Sequence, residues 1–205
     1  MYNQELKSSN YMVPGVIGLI LTLTTMLLTS MAITREKESG TIEQIIVSPL
    51  KPYEIIFGKT LPFVIIGMAD VLLVISAGAL IFNIYIKGDV LLLFVSALFF
   101  VLNTLGIGLF ISTISKTQQQ AMLSTFIFIF PSMIISGFAF PISNMPVEIQ
   151  YLTYLIPLRY FFIIIRGIIL KGNGLGILWP EILSLLVFGT IILFLSALRF
   201  KKKLE

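Results

Sequence analysis

Long uncharged apolar runs alternate with short charged clusters along the chain, and the runs have the length of membrane spans. Val13 to Ile33 carries no charge; at about 1.5 Å rise per residue it crosses a hydrocarbon core of roughly 30 Å. Leu61 to Ile86 is a second run, interrupted only by Asp70, and Val90 to Ser115 is a third. Lys87-Gly88-Asp89 between them reads as a tight turn. Thr117 to Val147 is again uncharged, but Pro131, Pro141 and Pro146 break its pattern, so only about Gln119 to Phe138 is assigned as a fourth helix. Leu178 to Leu198 is the fifth. Ile149 to Leu170 is apolar too, yet it holds Pro157, Arg159 and Arg166. Two arginines near mid-bilayer would cost about 2.5 to 3.5 kcal/mol each. Two short helices that dip in and return, joined at Pro157, fit the pattern at lower cost.

The fold class is therefore all-α: a polytopic membrane helical bundle with five spanning helices. With the amino terminus outside, the cytoplasmic segments hold Arg35, Lys37, Lys51, Lys59, Lys116, Arg199, Lys201, Lys202 and Lys203, most of the 14 basic residues. This satisfies the positive-inside bias, whereas a sixth crossing would put the Lys201-Lys202-Lys203 tail outside. Residues 1–12 then lie outside and the carboxyl terminus is cytoplasmic. An outside amino terminus needs a signal peptide or a preceding helix, and MYNQELKSSNYM is neither. At least one further span is expected upstream.

Composition narrows the chemistry. Of 205 residues 57% are hydrophobic and 12% charged, against about 25% charged in a soluble domain. With no Cys and no His, thiol nucleophiles, imidazole bases and thiolate or imidazole metal sites are unavailable. The net charge of +4 sits at the ends of apolar runs, as membrane flanks, and not in one patch suited to nucleic acid.

The informative polar stretch is Arg35 to Lys59, too long for a turn between two spans. Thr41 with Gln44 three residues on forms a capping-box pattern, with Glu43 in the first turn where the helix dipole favours an acid. A short helix from about Ile42 to Val47 follows, with Ile42, Ile45 and Ile46 on one face. The loop balances its charges: Arg35, Lys37, Lys51 and Lys59 against Glu36, Glu38, Glu43 and Glu54. Such a helix either lies on the inner leaflet or docks a protein groove, and a neutral loop gains little from anionic lipid. Docking is the preferred reading.

The string Arg35-Glu36-Lys37-Glu38-Ser39-Gly40-Thr41-Ile42-Glu43-Gln44, followed by Ser48-Pro49-Leu50 and Gly58-Lys59, resembles the type-2 permease family of ATP-binding-cassette exporters. A second match runs through Gly137-Phe138-Ala139-Phe140-Pro141, Asn144-Met145-Pro146, Ile156-Pro157-Leu158-Arg159-Tyr160 and Arg166-Gly167. The resemblance covers nearly the whole chain and makes its five spans the family's helices two to six, without the first. It implies one transmembrane permease domain over 1–205, a cytoplasmic coupling segment at 35–59 and an outer re-entrant segment at 139–177. It further implies that Arg35, Glu36, Glu38, Gly40, Thr41, Ile42, Glu43, Gln44, Ile45 and Ile46 couple to a separate ATPase subunit in a bacterial-type inner membrane. A second permease subunit, identical or not, completes the assembly, and the cargo is a drug, lipid or other amphipathic molecule.

The chain itself has no nucleotide loop. Gly58-Lys59-Thr60 ends like a phosphate-binding loop, but Tyr53 stands where its first glycine must be. ATP and magnesium are thus expected on the partner, and no catalytic, cofactor or metal residue is assigned here. Inside the spans, Asp70 reads either as a buried carboxyl bonded to Asn103 or a threonine, or as a functional site. The second option makes an ion-coupled secondary transporter the first rival; a non-transporting scaffold is the other. Gly15, Gly18, Thr22, Thr25 and Thr29 form one stripe, for close packing or for a dimer seam or pathway wall. Met122, Phe126 and Met133 suit an adaptable apolar pathway, or simply an ordinary membrane helix.

Overall fold

A computed structural model describes residues 8–40, 52–82, 86–138 and 141–201. Within them the chain is helical: α1 (Ser8–Glu38), α2 (Pro52–Phe82), α3 (Val90–Ile114), α4 (Gln118–Ile135), α5 (Val147–Thr153), α6 (Pro157–Arg166) and α7 (Leu175–Lys201). A 3-10 turn, Ile142–Asn144, precedes α5, and a π-helical turn, Gly167–Lys171, continues α6. The expected helix Ile42 to Val47 lies outside the described residues.

Local chemistry sets the boundaries. Asp89 caps α3 by accepting from the Leu91 amide at 2.8 Å, and Thr117 caps α4 by accepting from the Gln120 amide at 3.2 Å. Gln120 reaches back to accept from the Lys116 amide at 2.7 Å, closing both ends of that turn. Gly137, with φ 84°, takes the left-handed conformation that stops α4. Pro157 opens α6 at the position where a missing amide is harmless.

Four of the helices, over Pro14–Glu38, Gly58–Leu80, Val90–Ile114 and Leu175–Arg199, are long and apolar enough to cross a membrane. They correspond to the first, second, third and fifth expected spans. The fourth is present as α4, but its 18 residues open on three glutamines and it does not join that group. The expected short pair is present as well: Val147–Thr153 and Pro157–Lys171 meet at 85°.

α3 is the central column, with 61% of its apolar window buried against 17% for α2 and 22% for α7. The surprise is α6. Leu158, Phe161, Phe162, Ile164 and Ile165 are all buried and join Ile17 and Leu21 of α1, Phe100 of α3 and Leu185 of α7 in the main core. Phe161 stacks on Phe100 with centroids 4.1 Å apart. A smaller cluster of Met26, Ile107, Ile111 and Ile129 fills the other end.

Candidate functional site: a polar clamp at the end of α1

The last turn of α1 is tied to three other elements by consecutive charged residues. Glu36 forms an ion pair with Lys59 on α2. Lys37 donates to the Ser112 carbonyl at 2.7 Å and the Ser115 carbonyl at 2.9 Å, so its ammonium sits on the carbonyl end of α3, where the helix dipole favours a cation. Glu38 accepts from the Gln118 amide at 3.3 Å and from its side-chain nitrogen at 3.0 Å, at the start of α4. Arg35 is exposed, its carbonyl accepting from the Ser39 amide at 3.0 Å. Gly40 has φ 73° with open space around it; the conformation, not crowding, requires glycine there. Thr41, Ile42, Glu43, Gln44, Ile45 and Ile46 lie outside the described residues.

Sequence reasoning included Glu36 and Glu38 but missed Lys37 as a third member and Lys59 and Gln118 as the partners of the two glutamates. A basic residue in a helix's last turn is normally credited to its own carbonyls; that Lys37 serves another helix 75 residues on leaves no trace in the sequence. Gly58, Lys59 and Thr60 are helical, within α2.

The small-residue stripe of α1 is buried within the chain. Thr22, Thr25 and Thr29 are 3%, 1% and 1% exposed. Thr25 donates to Thr104 of α3 at 2.7 Å, and Ser30 pairs with Thr125 of α4 at 3.0 Å. The stripe is therefore buried among the described helices. Among the residues assigned to a pathway, Met122 is exposed and Phe126 and Met133 are half-buried; Phe126 stacks on Phe130 with centroids 5.9 Å apart.

The expected bond between Asp70 and Asn103 is not formed. Asn103 donates to the Phe99 carbonyl at 2.8 Å and the Leu185 carbonyl at 2.7 Å, so its amide joins α3 to α7. Asp70 Oδ2 is buried with no hydrogen-bond partner among the described residues.

Both arginines of the bent pair are engaged by protein groups, Arg159 within the pair and Arg166 with the exit of α4. Arg159 donates to Thr153 and lies 3.7 Å over the Tyr154 ring, binding α6 back to α5 across Pro157. Arg166 donates to the Gly137 carbonyl at 3.1 Å and faces the Phe162 ring at 5.2 Å. Among the described residues no cluster of acidic side chains is arranged to hold a metal ion.

The model of the ABC-2 type transporter family matches residues 1–170. The chain belongs to that family. It is 37% identical over 186 residues to the probable multidrug ABC transporter permease YbhR of Escherichia coli K12, across 91% of this chain and 50% of that protein. Over 208 residues it is 33% identical to the probable multidrug ABC transporter permease YbhS of the same strain, across 100% and 54%. ABC transporter G family member 20 of Dictyostelium discoideum is 25% identical over 206 residues, across 98% and 28%. The chain thus spans about half the length of these bacterial relatives. The family match takes in the clamp, the buried seam, Asp70 and the bent pair, so each belongs to the shared ABC-2 region.

Proposed function

We propose that the chain is the transmembrane permease part of an ATP-binding-cassette exporter, which couples ATP hydrolysis on a separate ATPase subunit to efflux of a drug, lipid or other amphipathic molecule. The observation that carries this is the clamp: the residues just before the 41–50 segment are wired to α2, α3 and α4 together. A push on that segment reaches three helices through Glu36, Lys37 and Glu38. In this reading 35–59 is the coupling segment, α4 completes a five-span bundle, and 139–177 is a re-entrant segment at the outer face. Two such subunits, identical or different, pair in a bacterial inner membrane. The names of the bacterial relatives, multidrug ABC transporter permeases, support the transport class and a drug as cargo.

Ile45→Asp places a charge on the apolar face expected to dock the ATPase. It should abolish co-purification of the ATPase while membrane insertion stays normal; undiminished co-purification removes the coupling assignment. The unpartnered Asp70 oxygen favours a second reading, an ion-coupled carrier. Transport that persists without ATP and vanishes in Asp70→Asn would select it.

A further inference from the structure

A groove of about 330 Å³ runs along α7, walled by Phe110 of α3, Phe128 of α4 and Phe188 and Leu195 of α7, and bounded by Leu155 and Pro157 at the bend between α5 and α6. Leu155 and Leu195 are 68% and 50% exposed, so the groove is open to lipid along its side. α3 and α7 run in the same direction here: a Cβ on Gly189 would meet Asn103 and one on Gly106 would meet Ile192. Phe188 is the middle residue of α7. The groove therefore covers only the carboxyl-terminal half of that helix, with the bend at its upper end.

The other end carries a cation. Arg199 follows Leu195 by one turn, and its guanidinium lies 5.2 Å from the centroid of the Phe110 ring, so it is held over a residue of the groove wall. It is exposed and has no carboxylate within ion-pair distance among the described residues. Lys116, also exposed, follows the end of α3 at the same membrane face, where Glu36 and Glu38 are engaged by Lys59 and Gln118. Arg199 stands eleven residues beyond Phe188, about 16 Å along the helix, which is about half of a hydrocarbon core of roughly 30 Å. The groove is thus one leaflet deep, apolar to the midplane and basic at headgroup level.

We infer that this groove is a binding site for one anionic phospholipid, whose acyl chain lies along it as far as Pro157 and whose phosphate meets Arg199. Depth selects a lipid over a protein: a spanning helix, from a partner or a second copy, needs apolar wall over the full core of roughly 30 Å, and this wall stops at the bend. Charge selects the head. A guanidinium fork matches phosphate oxygens, and a lipid of net negative charge lacks the ammonium that answers the phosphate in a zwitterionic one. Seated there, the lipid packs beneath the bend and joins α7 to α3 and α4 as a structural part of the fold. That it comes from the cytoplasmic leaflet rests on the orientation used in the export reading; the site itself does not.

The test titrates the detergent-solubilised protein with dioleoyl phosphatidylglycerol, with phosphatidylcholine of the same chains and with glycerol phosphate, and counts bound molecules and protein copies by native mass spectrometry. One phosphatidylglycerol per chain is expected to bind at least fivefold more tightly than phosphatidylcholine, with glycerol phosphate not retained. Arg199→Gln should weaken phosphatidylglycerol at least fivefold and leave phosphatidylcholine unchanged, and Arg199→Lys should keep most of the preference. Leu195→Trp should weaken both lipids by filling the groove with the cation intact. Both positions are exposed, so neither change removes a core contact. Equal binding of the two lipids, undiminished phosphatidylglycerol binding in Arg199→Gln or Leu195→Trp, or glycerol phosphate bound as well as the lipid overturns the site. A Leu195→Trp protein that loses copies of itself instead of lipid assigns the groove to a second chain and overturns it too. Binding as expected with residue 199 on the outer face upholds the site and overturns only the orientation.

Discussion

Replacing Lys37 with Met keeps the length and apolar stem of the side chain and removes its charge. Three bonds disappear, the two shorter ones at 2.7 and 2.9 Å to the Ser112 and Ser115 carbonyls. Both residues are 0% exposed, so water does not readily replace the ammonium at those acceptors. A buried acceptor left without a donor costs about 1 to 3 kcal/mol, and the loss of a cation at a helix carbonyl end adds about 0.3 to 1 kcal/mol. Lys37 is itself only half-buried and its loss returns some side-chain freedom, which brings the expected cost to about 3 kcal/mol. The neighbouring substitutions set the scale. Glu36→Gln breaks an ion pair whose side chains are 39% and 17% exposed on the Glu36 and Lys59 sides, worth about 0 to 1 kcal/mol. Glu38→Gln weakens two exposed bonds to Gln118 by a similar amount. In thermal unfolding of the detergent-solubilised protein, Lys37→Met should lower Tm by about 6 to 12 °C and the two glutamate variants by about 4 °C or less. The ranking is the claim. A Lys37→Met protein that melts within a degree or two of the wild type, or a Glu36→Gln protein that falls as far, would refute the assignment of the clamp's strength to the covered carbonyl end of α3.

Gly108 tests the close approach of α1 and α3. A Cβ there would lie 3.0 Å from the Met26 carbonyl oxygen and 3.1 Å from Thr29 Cβ, and backbone cannot step aside as a side chain can. Gly108→Val should cost about 1 to 3 kcal/mol in the same assay, whereas Gly176→Ala, with nothing within 4 Å, should leave Tm unchanged. The orientation is checked with impermeant thiol labelling of Asn173→Cys and Arg199→Cys in a chain that has no natural Cys. Labelling from opposite faces supports a single crossing by α7; labelling from one face removes it.

Much of the architecture was legible because run length and charge placement respond to the bilayer alone. The turn at Lys87-Gly88-Asp89 and the break and bend at Pro157 followed from residues that lipid does not tolerate. What could not be read was which side of each helix faces protein. In water, burial and hydropathy coincide; in lipid a Leu against acyl chains and a Leu in the core look alike. Thus Phe161 and Ile127 are equally apolar in sequence, yet one is 1% and the other 74% exposed. The polar residues inside the spans were the better guides. Thr22, Thr25 and Thr29 marked a packing seam, although which helix they meet was not written in their spacing. Asn103 was paired with the wrong group because a side-chain amide satisfied by two carbonyls, one of them 82 residues on, has no local signature. The clamp failed to appear for the same reason, being three contacts between segments remote in sequence.

These pieces converge on α1, a helix of 31 residues and so about 46 Å long. At one end Lys37 holds the end of α3. Near the other, a Cβ on Gly15 would lie 2.6 Å from the Phe138 ring and one on Gly18 2.6 Å from the Phe162 ring, so rings from the α4 exit and from α6 occupy the notches those glycines leave. Between the two ends, the hydroxyls of Thr22, Thr25 and Thr34 bond to carbonyls of their own helix, which move with it. Among the described residues the Thr25–Thr104 and Ser30–Thr125 bonds cross the seam between them, and interhelical bonds of that kind average about 0.6 kcal/mol each. The hydrogen bonds in the middle of the seam add little more than about 1 kcal/mol to the close backbone approach of Gly108 on Met26 and Thr29, and the phenylalanine-filled notches hold α1 sterically nearer its other end. In the transport reading, a shift of α1 imposed at the clamp is therefore passed to α3 at Gly108 and to α6 at the notches. That gives α6, short and carrying two arginines, a mechanical reason to be built into the core instead of resting on its surface.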